Sequence, residues 1–337
     1  MQNLNGPVTN DNLFVVNNVK KYFKLKKGIF SKEQQYIKAV DDVSFAIRKG
    51  ETLGIVGESG SGKSTLGRLL IRLHEATAGE VFFEGKEITA MSKHEFRNLR
   101  KDMQIIFQDP FGSLNPRMKV QELISEPFDI HTSLTKKEKE DRVIELLNKV
   151  GLDPEKRFNY PHELSGGQRQ RVGIARAIAL EPKFILADEA VSALDVSVQA
   201  QVINLLKELQ KELQLTYLFI AHGLNVVRHI SDRIAVMYLG KIVEIAETDE
   251  LFRQPLHPYT AALLSTNPIA NPKKRREKII LSGEIPSPAN PPAGCRFHTR
   301  CPIAQEICKT KVPELSGVPE GRQVACHFPL VEQHNII

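Results

Sequence analysis

Short runs of β-forming residues open the chain: Leu13-Phe14-Val15-Val16, then 39–47, with Lys49-Gly50 as a turn between it and the next run. Residues 52–56, Thr-Leu-Gly-Ile-Val, form an unbroken apolar stretch of the buried-strand type that leads into glycines. Residues 79–85 predict another short strand between turns. Past residue 130 the period changes. Thr135 with Glu138 is a capping-box pair, Val143, Leu146, Leu147 and Val150 follow at helical spacing, and Gly151 closes the run. From Phe184 onward, apolar strands at 184–187 and 217–221 flank a helix lined by Val198, Val202, Leu205, Leu206, Leu209 and Leu213. That alternation predicts an α/β unit with a largely parallel sheet. After Ser265 the prolines at 268, 272, 286, 288, 291 and 292 forbid a long helix or a central strand, so a boundary is expected there.

Composition adds limits. With 337 residues the chain accommodates one large domain and an appendage, or two modest domains. Hydrophobic residues make up 41% and charged ones 26%, the balance of a globular protein. No window approaches 18 apolar residues, so no membrane-spanning helix is expected. Residues 1–12 are polar and carry no apolar signal-type core, and the expectation is a cytosolic protein. The net charge of +6 suits anionic ligands or a membrane surface. Basic clusters such as Lys273-Lys274-Arg275-Arg276 are too short for a nucleic-acid face and read as a solvated linker.

The chemistry begins at 57–65, Gly-Glu-Ser-Gly-Ser-Gly-Lys-Ser-Thr, between the 52–56 strand and an apolar helical run at 66–73. Gly57, Gly60 and Gly62 let the backbone curl with its N–H groups inward, Ser59 and Ser61 keep the curl small and polar, and the following helix adds its positive end. In such a P-loop Lys63 charges the β- and γ-phosphates of ATP, Ser64 ligates Mg²⁺, and Thr65 continues the phosphate cradle. The 184–187 strand closes on Asp188, suited to Mg²⁺, and Glu189, suited to polarising a water. A second anion site follows from Leu164-Ser165-Gly166-Gly167-Gln168. Ser165 and Gln168 form an N-cap and its N3 partner, and Gly166 and Gly167 clear the approach of a phosphate.

That pentapeptide resembles the signature of ABC ATPases, in which the signature of one subunit covers the nucleotide held on the P-loop of another. The resemblance spans residues 12–265. It implies a P-loop NTPase with a RecA-like core, an antiparallel β subdomain and a helical subdomain at about 109–172. It also implies roles in order along the chain: Phe23, with Tyr22 as neighbouring candidate, stacking on adenine; Gln108 reaching Mg²⁺ and water; Ser192 and Asp195 in the D-loop; and His222 as the switch histidine. The family commonly has aspartate after that histidine, where this chain has Gly223.

The runs 108–116 and 188–195, with His257-Pro258-Tyr259-Thr260 and 290–295, are similar to one branch, the ATPases of oligopeptide, dipeptide and nickel importers. Within it the chain resembles the second ATPase of a heterodimeric pair. The resemblance implies two transmembrane permease subunits, an extracytoplasmic peptide-binding protein acting indirectly, and a peripheral place on the cytoplasmic face of the membrane. Nickel in place of peptide is an alternative cargo. A soluble ABC ATPase of DNA repair or translation is an alternative of another class, disfavoured by the single P-loop and the lack of sustained heptads. All four cysteines, Cys295, Cys301, Cys308 and Cys326, fall in the extension at 266–337. Their chemistry suits zinc or iron–sulfur, the spacing does not choose between them, and free thiols are a further alternative; His298 and His327 are reserve ligands that read more readily as solvated surface histidines. Resemblance to the branch implies a [4Fe-4S] cluster of structural purpose.

Overall fold

The computed structural model describes residues 11–25, 34–109, 111–221, 223–266, 279–318 and 321–330. The polar residues before Asp11, Pro110, His222, Pro268, Pro272 and the Lys273-to-Arg276 cluster lie outside them.

An eight-stranded sheet organises the chain. Five parallel strands come first: β3 (Thr52–Val56), β6 (Met103–Ile106), β7 (Phe184–Asp188), β8 (Thr216–Ile220) and β9 (Arg233–Tyr238), in the order β6-β7-β8-β3-β9. β10 (Lys241–Glu247) adds antiparallel to β9. Beyond it come two short strands of the extension, β12 (Arg322–Val324) and β11 (Ser316–Val318). A second, four-stranded antiparallel sheet joins β2 (Tyr36–Arg48), β1 (Asn12–Lys24), β4 (Ala78–Phe83) and β5 (Lys86–Glu87) in that order.

The parallel strands are apolar along their whole length because both faces of the sheet are covered. Leu53 and Ile55 of β3, Phe184 and Leu186 of β7, and Leu218 and Ile220 of β8 pack toward α1 (Lys63–Leu70) and the antiparallel sheet. The residues between them, Ile185, Ala187, Tyr217 and Phe219, pack on the other side. There they meet α5 (Gly166–Ile178) and α6 (Val196–Leu213), and the same core continues into α3 (Val120–His131) and α4 (Lys136–Lys149).

Local signals act as expected. Thr135 caps α4 and Ser165 caps α5, each in a full capping box with Glu138 and Gln168. The helix after the glycine loop stops at Leu70, short of the expected 73. Arg72 takes a left-handed φ of 50°, and the Leu73 N–H returns to the Arg68 carbonyl, the wrap that closes a helix end.

The proline-rich boundary does not detach the extension. Glu244 and Ile245 of β10 pair with Val324 and Gln323, the Lys38 N–H of β2 donates to the Pro288 carbonyl, and Phe297 belongs to the main core. Tail and cassette share a sheet and a core.

Candidate active site

The glycine loop bends from the end of β3 into α1 over the β9–β10 turn. Gly62 caps α1 with φ 104°, and a Cβ there would lie 2.0 Å from the Ala39 carbonyl, so the position admits glycine alone. Ser61 and Lys63 are buried, Ser64 and Thr65 are half-buried in the first helical turn, and Ser59 and Gly60 are exposed at the tip. The Lys63 ammonium donates to the carbonyls of Gly57 and Glu58, both at 2.9 Å. Burial pulls its pKa down, while the charges of Glu189, Asp188 and Glu58 oppose that. An anion entering the loop would oppose the downward shift through its charge, as those carboxylates do.

Asp188 ends β7, and its Oδ2 is held by Arg68 of α1 at 3.0 Å. Its Oδ1 is buried with no hydrogen-bond partner, a lone acceptor beside the phosphate loop. Glu189 follows with φ 53°, a left-handed conformation costly for a non-glycine residue. It is held there by its N–H to the Ile220 carbonyl at 2.9 Å and by Ser192, whose N–H and hydroxyl both reach the Glu189 carbonyl. Gln108, just past β6, donates from Nε2 to Glu189 Oε2 at 2.6 Å. Lys63, Gln108, Asp188 and Glu189, spread over more than 120 residues of sequence, thus come together: Gln108 on Glu189, and Lys63 within the field of both carboxylates.

The signature stands elsewhere. Ser165 Oγ accepts the Gln168 N–H, and Gln168 Oε1 accepts the Ser165 N–H, so both side chains serve the start of α5. Gly166 is open apart from Leu194, whereas a Cβ on Gly167 would come within 2.6 Å of Val198. The motif therefore lies against Leu194 and the head of α6, where Asp195 is the cap. Phe23 on β1 is half-buried, with the His74 ring edge-on at 5.5 Å and the Lys21 ammonium 5.0 Å from its centroid. Tyr22 instead donates its hydroxyl to Asp41. His222 lies outside the described residues; Gly223 starts α7 (Leu224–Ile230) without a side-chain cap.

A family model described as ABC transporter matches residues 40–192, and one described as oligopeptide/dipeptide transporter, C-terminal region, matches 243–308. The oligopeptide transport ATP-binding protein AppF of Bacillus subtilis is 55% identical over 94% of this chain and 98% of its own length. The probable peptide ABC transporter ATP-binding protein y4tS of Sinorhizobium fredii is 51% identical over 94% and 90%. The chain belongs to the ATP-binding subunits of ABC transporters. It has their P-loop α/β fold and is an ATPase. Among solved structures, the post-hydrolysis dimer of the ATP-binding cassette MJ0796 with ADP and Pi aligns at TM-score 0.62 and 31% identity, covering 70% of this chain and 98% of that one.

The part of this ABC ATPase beyond that cassette carries residues the sequence did not single out. Arg300 donates two bonds to Glu58 of the phosphate loop, at 2.9 and 3.2 Å, and the Glu58 N–H donates to the Tyr259 hydroxyl at 2.9 Å. Arg296 bonds Asp41 and the Leu239 carbonyl. No motif pointed to these arginines; the only signal was their place between cysteines. The four cysteines line one small apolar pocket with Phe297, Ile303, Phe328 and neighbouring residues, enclosing about 10 Å³. Gly294, at φ 64°, lets the Cys295 N–H reach the Cys308 carbonyl at 2.8 Å; a Cβ would meet that oxygen. Burial pushes the thiols of Cys301 and Cys326 up to about 11 and about 12. Among the described residues no group of three or more His, Cys, Asp or Glu is arranged to hold a metal ion. His298 and His327, the reserve ligands, each contact a backbone carbonyl, those of Cys295 and Lys311.

Proposed function

We propose that the chain drives the import of oligopeptides or dipeptides across a cytoplasmic membrane, with ATP as fuel. The observation that carries this reading is the union in one chain of the phosphate pocket with an extension matching the oligopeptide/dipeptide transporter model. Near full-length similarity to AppF supports it. No helix among the described residues is long and apolar enough to cross a membrane. In this reading the chain works at the cytoplasmic face with two permease subunits. An extracytoplasmic peptide-binding protein supplies the cargo.

In this reading Lys63 and the loop N–H groups bind the β- and γ-phosphates, and Phe23 stacks on the adenine. Ser64, Gln108 and Asp188 would hold Mg²⁺, for which the unpartnered Asp188 Oδ1 is the fitting donor; such an ion would offset phosphate charge. Glu189, fixed by Gln108, orients the attacking water, and His222 braces the γ-phosphate. The signature Ser165, Gly166, Gly167 and Gln168 turns to the nucleotide of a second ATPase subunit in a heterodimer, since its own phosphate pocket is elsewhere. Ser192 and Asp195 lie at that interface.

The four cysteines are read as ligands of a structural [4Fe-4S] cluster. Their convergence on one apolar pocket supports four soft thiolate donors. A single zinc on the same four thiolates is the alternative occupant. The 10 Å³ enclosed now is about one water's space, so the side chains must spread to admit a cluster. Bound there, it would cross-link the extension.

The test is reconstitution of the chain with its permeases and partner ATPase in vesicles. ATP-dependent peptide uptake that stops with Glu189→Gln is expected. Uptake of nickel but not peptide, or ATPase activity indifferent to the permeases, refutes the reading. For the cluster, about four irons and four sulfides per chain are expected after anaerobic purification, lost in Cys301→Ser.

A further inference from the structure

The extension reaches the nucleotide pocket at two points, and both contacts come from one loop. Between Cys295 and Cys301 the chain turns tightly, with the His298 N–H on the Cys295 carbonyl and the Arg300 N–H on the Phe297 carbonyl. Phe297 anchors the turn, fully buried among Tyr238, Tyr259 and His257 at centroid distances of 5.3, 5.4 and 5.7 Å. On one side of this anchor Arg300, itself buried, grips the Glu58 carboxylate with two bonds. On the other, buried Arg296 grips Asp41, which also accepts the hydroxyl of Tyr22, next to Phe23.

Every polar group of Glu58 is thereby fixed. Its carboxylate is on Arg300, its N–H on Tyr259, and its carbonyl on the Lys63 ammonium and the Ser61 N–H. The Ser61 carbonyl in turn accepts the Gly240 N–H, and the Gly240 carbonyl accepts the Asp41 N–H, in the same turn that gives Arg296 its Leu239 carbonyl. A loop that must wrap phosphate binds more tightly when its curl is set beforehand, because ordering costs are not met at binding.

We propose that the 295–301 loop is a positioning device for nucleotide, in which Arg300 pre-sets the phosphate loop through Glu58 and Arg296 steadies the adenine side through Asp41. The inference rests on the phosphate-pocket reading above. Arg296 and Arg300 are positioning residues, acting through Glu58 and through Asp41, the acceptor of the Tyr22 hydroxyl. Reciprocity follows: what firms the cysteine-bearing loop tightens ATP binding, and bound ATP firms the loop.

The test is equilibrium binding of a fluorescent ATP analogue to the full chain, with steady-state ATPase kinetics beside it. Arg300→Gln is expected to weaken binding about tenfold and raise KM in step, with kcat at saturating ATP nearly unchanged. Arg300→Lys should recover part of the loss. Glu58→Gln should match Arg300→Gln, and the double variant should be no worse than either, since all three remove one contact. If Arg300→Gln does not fold, Glu58→Gln cuts the same contact from the more exposed side and decides alone. Unchanged affinity in folded variants, losses that add in the double variant, or a fall in kcat with KM constant would overturn the proposal. Lys63→Ala separates the two readings: if it still binds nucleotide, the phosphate-pocket reading fails, whereas a normal Lys63→Ala loss beside inert Arg300 and Glu58 variants fails the positioning role alone.

Discussion

Glu244 is the most demanding single substitution the fold offers. Its side chain is fully buried on β10, and its two oxygens accept the N–H groups of Leu256 and His257 at 2.8 and 2.9 Å, with Arg322 of β12 at 3.8 Å. One carboxylate therefore ties β10 to the start of the His257-Pro258-Tyr259 segment and to the strand the extension adds. Hydrogen bonds to a charged acceptor contribute about 1.5–3 kcal/mol each, and breaking a buried ion pair costs about 3–5 kcal/mol, overlapping sums. Glu244→Ala should then cost about 3–5 kcal/mol of stability. Glu244→Gln, which keeps one acceptor, should cost about 2 kcal/mol. Burial raises the Glu244 pKa despite its partners, so the folded chain holds that proton more readily than the unfolded one. The contribution is therefore largest below the unfolded value near 4.5 and is lost as pH rises through the folded value. Glu244→Gln should remove that component and leave the other carboxylates' pH dependence alone. Urea unfolding across pH 4.5 to 8 measures both effects. A cost below about 1 kcal/mol for Glu244→Ala would refute the reasoning, because it would mean the two N–H groups find other acceptors.

Other outcomes can be read more simply. Lys63→Ala should lower ATPase activity at least about a hundredfold in a phosphate-release assay, the scale for removing a preorganised charge from the transition state. Glu189→Gln should cost about 10²–10⁴-fold in kcat while nucleotide binding persists, which single-turnover and filter-binding measurements separate. Gly67→Leu should destabilise by about 1–3 kcal/mol in thermal melts, since even a Cβ at Gly67 lies 2.6 Å from Leu186 of β7. Gly223→Asp should stabilise α7 by a few tenths of a kcal/mol in calorimetry, because Gly223 has an ordinary φ of −85° and supplies no side-chain cap.

What the sequence disclosed follows from how local each determinant is. β3, β7 and β8 were legible because double-sided burial makes them continuous apolar words, and α4 and α5 because their capping boxes close within four residues. The grouping of Lys63, Asp188 and Glu189 was foreseen from P-loop chemistry. Arg68, which takes Asp188 Oδ2, was not, since an arginine in an amphipathic helix resembles any solvated one. β11 and β12 were illegible for a different reason. Arg322-Gln323-Val324 and Ser316-Gly317-Val318 have little strand pattern and exist as strands because the first pairs onto β10 and the second onto the first.

The extension shows the limit most plainly. Its prolines announce a break in regular structure, and a break invites the inference of an independent appendage. Yet what joins two parts of a chain is the set of long-range contacts, and proline composition is silent on those. Arg300 reaches Glu58 across 242 residues, and Arg296 reaches Asp41 across 255. Each is a buried guanidinium that would be prohibitively costly without its carboxylate. A polar residue buried at such cost is held by the whole fold, so the extension cannot settle elsewhere without exposing Glu58 and Asp41 as well. The cysteines mark the segment chemically, but it is the two arginines beside them that tie it to Glu58 and Asp41.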